Sequence, residues 1–83
     1  MSVLWIANIA PGTDDEELKT FIRKYAPPEL EFASIERVEG DGSRPAAMIK
    51  FNGAQFGQLD SLRLRLDGMF WKGRRLTSST SSL

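Results

Sequence analysis

The sequence predicts an α+β sandwich, with a four-stranded antiparallel sheet, two helices on one face and the element order βαββαβ. Three observations predict it. Residues 2–9 and 44–51 alternate between two faces with the period of a strand, and 31–38 is rich in strand-forming residues. Residues 13–26 and 54–66 carry apolar side chains at helical spacing. Pro, Gly and polar clusters separate these stretches.

"SVLWIANI" (2–9) places Leu4 and Ile6 on one face and Val3, Trp5 and Ala7 on the other. "TDDEELKTFIRKYA" (13–26) reads as a helix capped by Thr13, with Glu16 completing a capping box. The acids of its first turn suit the helix dipole. Leu18, Phe21, Ile22 and Tyr25 form its apolar stripe, and "PP" at 27–28 stops it. In "EFASIERV" (31–38), Phe32 and Ile35 break strict alternation, which predicts a bulge or a strand starting near Ser34. "EGDGS" (39–43) is a hairpin loop. "RPAAMIKF" (44–51) sets Ala47, Ile49 and Phe51 on a core face, against Arg44, Ala46, Met48 and Lys50 on the other. The second helix, 54–66, carries Phe56, Leu59, Leu62 and Leu66 on its stripe and Leu64 off it. A last strand is expected near 73–78. The polar "TSSTSSL" ending reads as disordered from residue 79. Right-handed crossovers and the central hairpin give the spatial order 4-1-3-2. Trp5 and Met48 then stand side by side on an open sheet face.

The 83 residues make one domain, 1–78, followed by the tail 79–83. A domain of this size buries only about 60–65% of its unfolded-chain surface. With no cysteine and no histidine, disulfides, thiolate metal sites and the commonest general base are excluded. No nucleophile–base pair, metal cluster or phosphate-cradling loop is present, so neither an enzyme nor a cofactor is expected. Hydrolases that share the element order look for an Arg in the loop after the first strand. Here that loop is "APGTDDEE", which repels phosphate. No run spans a membrane, and the start lacks signal-peptide character; the expectation is an intracellular monomer, cytoplasmic or nuclear. Net charge is zero, but residues 1–41 hold nine acids and four bases, and residues 42–83 hold seven bases and two acids. Such a split makes local fields matter more than the total.

"LWIANI" (4–9) resembles the first-strand hexapeptide of the RNA recognition motif (RRM) family at every constrained position. "RPAAMIKF" is similar to the family's third-strand octapeptide at Arg44, Ala47, Ile49 and Phe51. It departs from it at Pro45, which replaces a Gly, and at Ala46 and Met48, which replace exposed aromatics. "LDGMFWKGRRL" (66–76) resembles the passage into the last strand. The chain is thus identified as an atypical RRM, a ferredoxin-like sandwich with a degenerate octapeptide. The resemblance implies a sheet face that binds single-stranded RNA, weakened by the missing rings.

Carried over by position, Trp5 is the one stacking residue and Arg44 the phosphate contact. Met48 packs its thioether under a second base. Lys50 and Arg75 share the open face, and Lys72 and Arg74 lie near the turn before the last strand. A solvated rim is the plain alternative for these cations, and a protein ligand or the chain's own tail is the alternative cover for Trp5. A second function stays open. One protein-binding branch of the family has an acidic first helix, a poor octapeptide and an Arg-X-Phe turn. Asp14, Asp15, Glu16, Glu17, Phe70 and Trp71 would serve such a protein partner here. The turn reads Met69-Phe70-Trp71, so the branch's Arg, and its salt bridge to the acidic helix, are missing.

Overall fold

The computed structural model describes residues 2–28, 30–38, 45–52 and 56–82. The elements are β1 (Ser2–Ala7), α1 (Asp15–Arg23), β2 (Glu31–Val38), β3 (Ala46–Asn52), α2 (Phe56–Leu66), β4 (Phe70–Trp71), β5 (Arg74–Arg75) and β6 (Thr77–Ser82). The main sheet is four-stranded and antiparallel, in the order β2-β3-β1-β6. This is the expected order, with β6 as the fourth strand. The hairpin loop 39–43, Arg44 and residues 54–55 of the expected second helix lie outside the described residues.

Alternation sorts the sheet as its sequence requires. Leu4 and Ile6 of β1 and Ala47, Ile49 and Phe51 of β3 are buried on one face. They pack against Leu18, Phe21 and Ile22 of α1 and Leu59, Leu62 and Leu66 of α2. Ile9, Leu30 and Leu76 close the cluster from the connections. Each fully buried aliphatic of this kind contributes about 1.5–3 kcal/mol. Register slips between Phe32 and Ser34, so a bulge does bring Phe32 and Ile35 onto one face. Leu64 is exposed, as its place off the stripe predicts.

The chain leaves β1 through two conformations that its residues favour. Asn8 takes φ 62°, and its side-chain amide donates to the Arg75 carbonyl at 2.9 Å, tying the end of β1 to β5. Ala10-Pro11-Gly12-Thr13 then turns, with Gly12 at φ 84° and the Thr13 N–H donating to the Ala10 carbonyl. The Thr13 hydroxyl donates to the same carbonyl at 2.7 Å. Thr13 is therefore occupied in the turn, and the helix cap falls one residue later than expected. Asp14 accepts from the Glu17 N–H at 2.8 Å, and Glu17 accepts from the Asp14 N–H at 3.2 Å. "TDDEE" contains two overlapping capping boxes, and the turn decides between them.

The largest departure follows α2. Residues 70–75, expected as a short turn and the start of a last strand near 73–78, form the separate hairpin β4–β5. Lys72 at φ 54° and Gly73 at φ 79° make the two-residue turn with positive φ at both positions that matches strand twist. The last strand begins only at Thr77 and runs to Ser82, so residues 79–82 are strand rather than disordered tail. Each of its six residues has a partner on β1, from Ser2↔Ser82 to Ala7↔Thr77. A Ser/Thr run lacks the hydrophobicity to order itself, but here it completes the outer hydrogen-bond ladder of β1. Leu83 lies outside the described residues.

Candidate nucleic-acid interface

The open face consists of three rows set by strand register. The central row is Glu36–Met48–Trp5–Ser79. Trp5 and Met48 are direct partners, as the sequence predicts. On one side of this row, Ser34 pairs with Lys50, and Val3, fully buried although it stands on this face, pairs with Ser81. On the other, Val38 pairs with Ala46, and Ala7 pairs with Thr77. Trp5 is half-buried rather than fully proud of the sheet, and its indole N–H donates to the Ser81 hydroxyl at 3.2 Å. That bond ties the indole of β1 to the neighbouring strand β6. The face is therefore one aromatic, one thioether and one described cation, surrounded by hydroxyls and small side chains, with Glu36 and Val38 exposed at its β2 edge.

The other expected cations are not brought to this face. Phe70 pairs with Arg75, and Trp71 with Arg74. The Arg75 guanidinium donates to the Gly68 carbonyl at 3.4 Å and lies 5.8 Å from the Phe70 ring centre. Arg74 donates to the Ile9 carbonyl at 3.2 Å. Lys72 donates to Glu17 at 2.8 Å and to the Thr13 hydroxyl at 3.3 Å, against α1. The hairpin turn directs Lys72 there; Gly73 is the one residue of the turn whose type favours positive φ, and Lys-Gly is not one of the strong hairpin dipeptides. Of the three cations expected on the open face, Lys50 is there, Arg75 is turned onto Gly68 and Phe70, and Arg44 lies outside the described residues; Lys72 and Arg74 lie at the turn before the last strand, as expected.

The alternative protein-binding residues are also divided. Trp71 stacks on Phe21, with ring centres 4.3 Å apart and planes at 16°. Beside them is an open groove of about 440 Å³ lined by Asp14, Glu16, Glu17, Thr20, Phe21, Lys24 and Trp71. Asp15 pairs with Arg37 at 3.2 Å, and Phe70 is 70% exposed and faces Arg75, so neither lines the groove. A salt bridge between the hairpin and the acidic helix is present, made by Lys72 with Glu17.

The Lys72 hydrogen bond, then the Asp14 N–H, holds the Glu17 carboxyl below its ordinary value of 4.5. A carboxyl with a depressed folded-state pKa contributes stability above its unfolded value and loses it as pH falls through the folded one. Lys72→Met removes the first of these causes. In thermal melts from neutral to acid pH, the parent should lead the variant at neutral pH, and the gap should close below the ordinary carboxylate range. A gap independent of pH would mean that Lys72 acts only through packing on Trp71.

The chain superposes on the solved structure of Pes4 RRM3 with a TM-score of 0.78 at 15% identity, covering 99% of this chain and 93% of that one. It superposes on the Rna15 RRM, solved with bound RNA (GU), with a TM-score of 0.73 at 18% identity, covering 98% of this chain and 83% of that one. No protein-family model and no curated protein sequence matches it. The fold is thus that of an RRM, an α+β ferredoxin-like sandwich, with a degenerate octapeptide on its central strand.

Proposed function

We propose that this chain is a small RNA-binding module, not an enzyme, that holds single-stranded RNA weakly on its open sheet face. One observation carries the reading: Trp5 stands directly opposite Met48 at the centre of that face, its indole N–H already satisfied by Ser81. One base stacks on Trp5, a second rests on the Met48 thioether, and Lys50 meets a phosphate beside them. The RNA held by the Rna15 RRM, a neighbour in fold, supports the same ligand class. With two platforms of the family pattern gone, affinity falls by roughly 2–6 kcal/mol relative to a fully aromatic face.

Electrostatics give the test. Lys50 offers one phosphate contact and the sequence supplies a second candidate in Arg44, so affinity for a short oligonucleotide should fall with salt at a log–log slope of about −0.7 to −1.4. Fluorescence anisotropy at several salt concentrations measures it. A slope steeper than about −3 would require four or more contacts and bring the hairpin cations back into the interface.

A second reading rests on the groove beside α1. Its acidic rim and the Trp71 ring suit a protein segment carrying basic and apolar side chains. The Lys72–Glu17 bridge favours it by holding the hairpin against the helix. Against it, Asp14 and Glu17 already cap the helix, and Trp71 already packs on Phe21.

A further inference from the structure

Glu36 is unexpected on a surface meant for a polyanion. It lies on β2 directly opposite Met48, is exposed, and has no ion pair among the described residues. Its neighbours on the face are Met48, Ser34 and Val38, with Ala46 and Lys50 on the diagonals, and Lys50 makes no ion pair with it. A capping, dipole or core role is excluded by its position in mid-strand on the open face. What remains is its chemistry: an ionised carboxylate accepts hydrogen bonds and donates none.

We propose that Glu36 selects the base lying over Met48, favouring a Watson–Crick edge that presents an amine and disfavouring uracil. The inference rests on the sheet-face reading of the previous section. Adjacent strands are about 4.8 Å apart, so a base centred over Met48 brings its edge within reach of a carboxylate one strand away. Guanine offers its ring N–H and exocyclic amine side by side, matching both oxygens of a carboxylate. Cytosine and adenine offer one amine each. Uracil offers one N–H between two carbonyl oxygens, and those oxygens repel the carboxylate. The Trp5 position is different. Its neighbours Ser79 and Ser81 carry hydroxyls, which both donate and accept, so that site tolerates any base. Discrimination therefore concentrates at one nucleotide.

The experiment is a set of anisotropy titrations of the whole chain with four heptanucleotide RNAs, six uridines around one central G, C, A or U. The parent should bind the G probe on the order of tenfold tighter than the all-uridine probe, with C and A between. Glu36→Gln keeps size and strand geometry but adds an amide donor that a uracil carbonyl accepts. It also removes a negative charge, which strengthens all four probes together, so the G-to-U ratio is the quantity to read. That ratio should fall to within about twofold. A parent without base preference, or a variant that keeps the parent's ratio, overturns the role of Glu36 while leaving the sheet-face reading intact. A folded parent that binds none of the four probes at low salt overturns both.

Discussion

Phe21→Ala should remove a large share of the protein's stability. Phe21 is 6% exposed, sits at the centre of the α1 stripe, stacks on Trp71 and meets Tyr25 edge-on at 5.4 Å. Truncating a buried Phe costs about 3–5 kcal/mol through lost transfer energy and the cavity left behind. A domain of this length has only about 4–12 kcal/mol in total at typical per-residue stability. The substitution also removes the surface on which Trp71 stacks, so the hairpin loses one of its contacts with α1 and keeps the Lys72–Glu17 bridge. Urea unfolding followed by far-UV circular dichroism measures the loss. Phe21→Leu, which refills most of the volume without the stacking, should recover more than half of it. An alanine variant whose midpoint stays at the parent's would mean that α1 does not depend on this stripe.

Trp5→Ala should weaken RNA binding by roughly 1–3 kcal/mol, about 5- to 150-fold, because it deletes the one aromatic platform of the open face. The stability cost should be smaller but measurable. The ring is half-buried and bonded to Ser81, so its loss removes one part-buried hydrogen bond, worth about 0.5–1.5 kcal/mol, and a cross-strand contact with Met48. A ring that simply faced water would leave the melt unchanged. The protein should remain folded, with a melting temperature lower by several degrees. A folded variant that binds oligonucleotides as well as the parent would remove Trp5 from the interface.

Backbone-scale features were legible where side-chain period alone decides the outcome. Ala47, Ile49 and Phe51 must share a face in any strand, and that face must be the core because it is the apolar one. The three-residue spacing of Phe32 and Ile35 demanded a bulge, and one is present. The opposition of Trp5 and Met48 followed from strand order. Legibility failed where tertiary contacts choose between local options. The positions of Lys72, Arg74 and Arg75 depend on a two-residue turn that rotates them away from the sheet, and a run of cations carries no periodicity to reveal this. Residues 79–82 gain their order from the backbone of β1, a partner 76 residues away at the Trp5–Ser81 bond, and no property of a Ser/Thr run announces it. In sequence, Glu36 is one charge on an edge strand. Only its register opposite Met48 gives it a place.

The two tryptophans make the central claim directly measurable, because Trp5 lies on the sheet face and Trp71 on the groove beside α1. Their indole N–H resonances are separate reporters in one nitrogen–proton correlation spectrum. Titration with a short single-stranded RNA should shift the Trp5 indole together with the amides of Met48, Lys50 and Ser79, and leave the Trp71 indole and the amides of Glu17 and Thr20 in place. Shifts confined to Trp71 and α1, with the Trp5 indole unmoved at saturation, would contradict the assignment of the sheet face as the RNA platform.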